Sequence, residues 1–237
     1  MEDLSSIKDV SKNPRPLPPA QAYLLIGILI GYPLLSIAMN MIGTTDPSRI
    51  VSKISQVYLP SLFVQLILLS IVAIVLTRTN TPFADIGLGR DDISWSNALS
   101  GIIFFIAAWS VIILVRGAME KSGYIPEKDF LYLLPKTAGE KAFWILLSLG
   151  AAFSEEITFR GFAISRLKVF SGNYWLGAVL SSAAFGLGHL YQGLLGVFLT
   201  FIYGLLFAGL FVARRSVFPC IVAHFLQDAL VLLALMK

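Results

Sequence analysis

Charged side chains are scarce in this chain of 237 residues. They make up 14% of the sequence, against 57% for hydrophobic residues, whereas a soluble domain carries about 25% charged residues. The mean hydropathy is +0.79. This composition argues against a soluble enzyme and predicts an integral membrane protein whose partner is the lipid bilayer. The net charge of +4 is spread over loops and tail, which gives no reason to predict a nucleic-acid partner.

Cysteine is nearly absent as well. The single Cys220 lies in the last apolar run, so no intrachain disulfide can form. His224 follows at helical spacing and could activate a thiol, but cysteine is commonly an inert small hydrophobe. We therefore expect Cys220 to be a buried packing residue.

Long apolar runs are abundant, and about 20 apolar residues suffice to cross a bilayer as a helix. They predict an all-α, polytopic transmembrane bundle with about seven spans, near 22–42, 57–77, 95–115, 143–166, 174–190, 192–213 and 217–236. The last four runs follow one another closely and predict a C-terminal four-helix core. We expect a disordered polar tail at 1–19, N-terminal transmembrane helices and loops at 20–141, and this core at 142–237.

Acidic residues and histidines are also few, and their positions are informative. From Ser154 to the end the only acidic residues are Glu155, Glu156 and Asp228, and the only histidines of the chain are His189 and His224. All five belong to predicted spans. A charge at a bilayer centre costs at least about 2.5–3.5 kcal/mol, and intramembrane ionisable residues are therefore candidates for function.

Helical spacing sorts these residues into faces, because residues four apart share a face and adjacent residues do not. In "EEITFR", Glu156 and Arg160 are stacked neighbours that can form an ion pair, while Glu155 points elsewhere. In "HFLQD", His224 and Asp228 share a face one turn apart.

The third stretch, "FGLGH", places Phe185 one turn before His189, where its ring can form a wall beside the imidazole. Three helices thus each carry a polar or polar–aromatic pair, and we expect the three pairs to meet in a common interior.

Such a set suggests hydrolysis. A desolvated carboxylate beside a neutral imidazole can activate a water, and a second imidazole can donate to the oxyanion of an attacked carbonyl. We therefore expect amide hydrolysis inside the bilayer without a cofactor. Zinc is the rival, since two His and a Glu are suitable ligands, although no HExxH spacing is present.

Two other classes of function stay open on the residues alone. The same Glu, His and Asp could form the proton relay of a proton-coupled carrier or channel. Alternatively, the charged pairs could only hold helices in register, which would suit a non-catalytic membrane scaffold or a bacteriocin-immunity factor.

The three stretches together resemble a known family. "EEITFR" fits an EExxxR motif, "FGLGH" an FxxxH motif, and "HFLQD" a His followed four residues later by Asn or Asp. In this order they are similar to the CPBP family of CAAX proteases and bacteriocin-processing enzymes, over roughly 142–237. The resemblance implies a helical intramembrane glutamic endopeptidase in the plasma membrane of a prokaryote, acting on a membrane-associated peptide or protein, prenylated or not.

The resemblance also implies roles for individual residues. Glu155 and His189 would activate the water, His224 and Asp228 would stabilise the oxyanion, and Glu156 with Arg160 would form a supporting pair. The prenyl endopeptidases carry Asn where this chain has Asp228. Either Asp228 is a protonated donor, or it orients His224 and keeps it cationic, which is the role we favour.

Overall fold

The computed structural model describes residues 14–42, 50–123 and 131–234, and in this part of the chain all regular structure is helical. It contains seven apolar helices. They are α1 (Pro19–Met41), α2 (Ile54–Arg78), α3 (Trp95–Lys121), α4 (Ala138–Ser171), α5 (Tyr174–Gly188), α6 (Gly193–Arg214) and α7 (Phe218–Ala234). The prediction of an all-α polytopic bundle with about seven spans is confirmed.

The helices differ in length. The helical segments that contain α1, α2, α3, α4 and α6 are long and apolar enough to cross a membrane. Helices α5 and α7 are also apolar but shorter. The 15 residues of α5 extend about 22 Å at 1.5 Å per residue, less than the roughly 30 Å of a hydrocarbon core.

Several boundaries differ from the prediction. Helix α4 starts earlier than position 143, because Thr137 and Glu140 form a reciprocal capping box, and Gly172 ends it in a left-handed conformation at φ 76°. Helix α5 stops at Gly188, so that His189 caps its C-terminal end. The expectation that His189 lies within the fifth span is therefore wrong by one residue, which moves its imidazole to a helix end.

The four C-terminal helices pack on one another, and the three N-terminal helices lie around them. Helix α5 packs along α6 and α4, and α7 packs on α4. Helix α1 lies on α5, α2 on α4 and α3 on α7. The predicted four-helix core is thus present, while the functional division of the chain into a tail and two helical parts stays a prediction. Most of the predicted tail, 1–13, lies outside the described residues, and residues 14–18 lead into α1 without regular structure.

Three helices contain a π-helical segment, a wider turn that is often found at functional sites. In α1 it covers Gly27–Gly31 and in α2 Ile54–Tyr58. Each ends two residues before a proline, Pro33 or Pro60, whose missing N–H and bulky ring disturb the preceding turn. The third segment, Glu156–Ile164 in α4, contains no proline, and all nine of its residues are buried. This segment is the centre of the core.

Candidate active site

Two adjacent glutamates stand where α4 changes from an α-helix to a π-helix. Glu155 is the last α-helical residue and Glu156 the first of the π segment. Their side chains have different surroundings, because Glu156 is fully buried while a fifth of the Glu155 side chain remains exposed. The predicted difference between the two glutamates is present in their exposure, although both carboxylates approach the His224 ring.

Glu156 binds two partners through one oxygen. Its Oε1 accepts from Nη1 of Arg160 at 3.0 Å and contacts Nδ1 of His224 at 2.7 Å. The predicted pair with Arg160 is confirmed. The contact with His224 was not predicted, and it links the supporting pair directly to the third motif.

His224 lies among three carboxyl groups. Besides Glu156 at Nδ1, its Nε2 lies 3.5 Å from Oδ2 of Asp228 and 3.9 Å from Oε2 of Glu155. Ionised carboxylates only accept hydrogen bonds, so the Nδ1 atom beside Glu156 carries a proton. The second ring nitrogen, Nε2, faces Asp228 and Glu155. The shared face expected for His224 and Asp228 is confirmed, but the shorter contact that orients the ring comes from Glu156.

His189 is held by the backbone of its own helix. Its Nδ1 lies 2.8 Å from the carbonyl oxygen of Phe185, and since a carbonyl only accepts, Nδ1 carries a proton. Nε2 is the ring nitrogen that this contact leaves available. The ring of Phe185 lies 4.6 Å from the imidazole between centroids, which confirms the predicted aromatic wall.

Aromatic rings surround the charged groups. The Arg160 guanidinium lies 4.4 Å from the ring centre of Phe185 and 5.2 Å from that of Phe207, distances typical of cation–π contacts. Phe207 in turn meets His224 edge-on at 6.0 Å. The rings of Phe185 and Phe207 therefore contact Arg160 of the predicted pair, and each ring also contacts one of the two histidines.

The predicted residues line one cavity of about 750 Å³. Glu155, Glu156, Arg160, His189, His224 and Asp228 all contribute to its wall. The expected meeting of three helices in a common interior is confirmed. The catalytic and supporting roles of these six residues stay predictions.

The N-terminal helices supply much of the remaining wall, although they carry none of the three motifs. These lining residues are mostly apolar or aromatic: Tyr32, Val57, Tyr58, Pro60, Val64, Leu68, Trp109 and Ile112. The charged lining residues thus come from α4, α7 and the turn after α5, whereas the lining residues of α2 and α3 are mostly apolar.

A short segment before α4 also contributes to the cavity. Leu133 and Leu134 lie in its lining, and two side chains of α2 and its approach hold their backbone. The Tyr58 hydroxyl donates to the Leu133 carbonyl at 2.6 Å, and Nζ of Lys53 donates to the Leu134 carbonyl at 2.6 Å.

The arrangement of possible metal ligands differs from a closed zinc site. In the ranges 14–42, 50–123 and 131–234, no three or more His, Cys, Asp or Glu side chains form a group suited to a metal ion. Cys220 is buried and its Sγ lies 3.6 Å from the Phe207 carbonyl oxygen, which confirms its expected packing role. The absence of a cofactor stays a prediction.

Besides the contact of Glu156 with His224, three features of the site could not be predicted from the sequence. The π segment depends on tertiary packing, and no residue in "EEITFRGFAI" signals it. The bond from Nε1 of Trp144 to the Asp228 carbonyl, at 2.9 Å, and the position of Tyr32 in the wall join separate helices. Aromatic residues in apolar spans are too common to have marked either one.

The comparisons agree with the motifs. Residues 137–230 match the family model described as "Type II CAAX prenyl endopeptidase Rce1-like". No curated protein and no solved structure matches the chain significantly. The resemblance that the three motifs indicate is thereby confirmed for the C-terminal helices.

Proposed function

Because residues 137–230 match the Rce1-like family, we propose that this chain is an intramembrane endopeptidase that hydrolyses a peptide bond with a Glu- and His-activated water. The observation that carries this proposal is the convergence of Glu155, His189 and His224 on one cavity between apolar helices. Three motifs from three helices would not need to share a cavity if each only stabilised its own helix.

Glu155 and His189 are the proposed water-activating pair. Glu155 retains some exposure and its own helix gives it no ion pair, so its carboxylate is free to take a proton. In the proposed mechanism His189 acts as a neutral ring, whose proton lies on Nδ1 at the Phe185 carbonyl and whose Nε2 accepts. A water between them would give one proton to Glu155 while its second hydrogen bonds Nε2.

His224 is the proposed donor to the oxyanion. As the water oxygen bonds the substrate carbonyl carbon, the carbonyl oxygen becomes negative and needs a donor. Nε2–H of His224 supplies it, while Glu156 holds the ring through Nδ1 at 2.7 Å. Asp228, 3.5 Å from Nε2, keeps the imidazole cationic and aimed before the substrate arrives.

The proton taken by Glu155 completes the reaction. When the tetrahedral intermediate collapses, the carbonyl re-forms and the C–N bond breaks. The departing nitrogen takes the proton from Glu155, which returns to its carboxylate form. Water is thus divided between the new carboxyl and amino termini, and no oxidant or reductant is required.

We propose a membrane-associated peptide or protein as the substrate, prenylated or not. The apolar wall from α2 and α3 supports a substrate that carries an apolar segment beside the bond to be cut. The cell membrane of a prokaryote is the proposed location, and the family resemblance is its support.

Replacement of the proposed base tests this function. Glu155→Gln keeps the shape of the side chain but cannot accept a proton, and we expect at least a ~100-fold loss of cleavage rate. The assay uses purified protein in nanodiscs with a quenched farnesylated CAAX peptide, together with proteomic comparison of membrane peptides from cells with native or variant chain. Glu120→Gln, in an exposed pair with Arg116, is the matched control and retains activity.

The alternatives give different results in the same experiment. Near-native processing by Glu155→Gln, in the peptide assay and in cells, contradicts the proposed role. An unchanged cellular phenotype without any cleaved peptide supports a scaffold or immunity factor. Solute uptake into sealed vesicles without peptide cleavage supports a proton-coupled carrier.

A further inference from the structure

Helix α1 approaches the end of α5 most closely at a glycine, Gly188. Two side chains one turn apart make the contact. Ser36 donates its hydroxyl to the Gly188 carbonyl at 3.0 Å, and the Tyr32 ring lies against the Gly188 α-carbon. Both side chains belong to the first span, which carries no family motif.

The Tyr32 ring occupies the space that a side chain at position 188 would need. A β-carbon built on Gly188 would lie 2.6 Å from the Tyr32 hydroxyl oxygen and closer still to the ring carbon Cε1. Real β-carbons do not approach other heavy atoms this closely. Gly188 is therefore a glycine because a neighbouring helix fills its side-chain position, and not because its backbone needs a positive φ.

The Tyr32 ring faces the cavity and is packed against the core on its other contacts. It packs edge-on against Phe159 of the π segment, at 5.4 Å between centroids. Phe159 packs in the same way against Phe185 at 5.1 Å. The Tyr32 ring is thus wedged between the buried part of α4 and the end of α5.

The residue after Gly188 is His189, the first residue beyond α5. Its backbone has left the α-helical conformation, at φ −100° and ψ 22°. The helix still holds the imidazole through the Phe185 carbonyl at Nδ1, and the contacts of α1 act on the residue immediately before it.

We propose that Tyr32 and Ser36 are positioning residues that hold the Gly188–His189 turn, so that Nε2 of His189 faces the cavity. The inference rests on the proposed role of His189 in catalysis. It assigns a task to the first span: the motif helices carry the reacting groups, and α1 sets the direction of one of them.

The first test observes His189 without any substrate. The chain has two histidines, so protein labelled with ¹⁵N-histidine in nanodiscs gives two imidazole spin systems, and His224→Gln assigns them. Native protein should show His189 with its proton on Nδ1. We expect Gly188→Ala to shift and broaden the His189 signals, and the double variant Gly188→Ala/Tyr32→Leu to restore them, because leucine leaves room for the new methyl group.

The second test measures kinetics with the quenched farnesylated CAAX peptide. A misplacement of about 1 Å can cost on the order of 100-fold in rate, so Gly188→Ala should lower kcat by roughly that factor while KM changes little. The double variant should regain about tenfold of the loss. Ser36→Ala, which leaves the Gly188 carbonyl without this donor, should give a smaller loss of kcat.

Two glycine variants separate positioning from general damage. Gly31 is next to Tyr32 in the chain, and a β-carbon at this position would have no atom nearby. Gly31→Ala should therefore leave both the spectra and kcat unchanged. Gly186→Ala would meet the Val197 carbonyl oxygen at 2.9 Å. It should lower stability, and Tyr32→Leu should not rescue it.

Several results overturn the inference. These are native-like His189 signals in Gly188→Ala, a double variant whose signals stay as perturbed as those of Gly188→Ala, or a double variant whose kcat is no higher than that of Gly188→Ala. The His189 signals could move in Gly188→Ala and recover in the double variant while native protein cleaves no membrane peptide. In that case the positioning of His189 by α1 stands and the proposed protease function fails.

Discussion

Glu156→Gln gives the sharpest test of how the charges in this membrane core are arranged. The change is nearly isosteric. An amide oxygen in place of Oε1 keeps a hydrogen-bond acceptor for both Arg160 and His224, but the negative charge is lost. The new NH₂ group takes the place of Oε2, which is buried and has no hydrogen-bond partner among the described residues. The variant therefore removes charge and adds an unsatisfied donor.

The expected magnitude follows from burial. The Arg160 and Glu156 side chains are 2% and 0% exposed, and breaking such a buried pair typically costs about 3–5 kcal/mol. Arg116 and Glu120 form an ion pair of similar length, 2.9 Å against 3.0 Å, also four residues apart, but they are 55% and 47% exposed. An exposed pair of this kind contributes about 0.3–0.5 kcal/mol.

The assay is equilibrium unfolding of native chain, Glu156→Gln and Glu120→Gln in mixed micelles. We expect a large loss of unfolding free energy for Glu156→Gln and almost none for Glu120→Gln. Replacing Glu156 by Leu and Arg160 by Met together should recover part of the loss, although Nδ1 of His224 then lacks its partner. If Glu156→Gln and Glu120→Gln lost equal amounts of unfolding free energy, burial would not be what strengthens the pair of Glu156 with Arg160.

Activity should respond to Glu156→Gln as well, because the carboxylate also orients His224. Considered from the sequence alone, Glu156 would affect stability more than chemistry. Because Oε1 of Glu156 lies 2.7 Å from Nδ1 of His224 in the native protein, we expect Glu156→Gln to lose kcat even at temperatures where the variant is fully folded. A folded variant with native kcat would show that the contact with His224 is unimportant for the reaction.

Three further predictions concern the same cavity. Asp228→Asn removes a negative charge 3.5 Å from Nε2 of His224, so activity should fall at neutral pH and recover partly in acid; a pH–rate profile identical to the native one would leave Asp228 a structural residue. Exhaustive chelation should leave activity intact, and elemental analysis showing one zinc per chain, with zinc-dependent recovery, would favour a metalloprotease. Trp144→Phe removes the bond to the Asp228 carbonyl and should lower unfolding free energy by about 1 kcal/mol, measured by the same unfolding assay; an unchanged value would show that water replaces the bond.

The sequence was sufficient for features that depend on local spacing. Apolar runs of membrane length predicted seven helices, and residues four apart predicted the contacts of Glu156 with Arg160 and of His224 with Asp228. These predictions succeed because helical geometry fixes which side chains share a face. The three motifs then sufficed to place their residues in one interior.

Features that join distant helices could not be predicted in this way. The contact of Glu156 with His224 depends on how α7 lies on α4, and the fit of Tyr32 against Gly188 depends on how α1 lies on α5. Spacing within one helix carries no information on either crossing. The end of α5 before His189 was also missed, because "FGLGHLYQG" remains apolar through the residue at which the helix stops.

The short length of α5 bears on how water would reach a hydrolytic site inside lipid. Helix α5 begins at Tyr174, whose ring lies 3.6 Å from the Arg215 guanidinium carbon, and it ends about 22 Å further on at Gly188. A hydrophobic segment shorter than the bilayer is matched by thinner lipid around it. The polar turn at His189–Gln192 is thereby brought nearer to bulk solvent on the side opposite Tyr174. Helix α5 is about one and a half turns shorter than the hydrocarbon core is thick. If the proposed hydrolysis takes place in the cavity, this difference shortens the path from bulk solvent to the reacting groups.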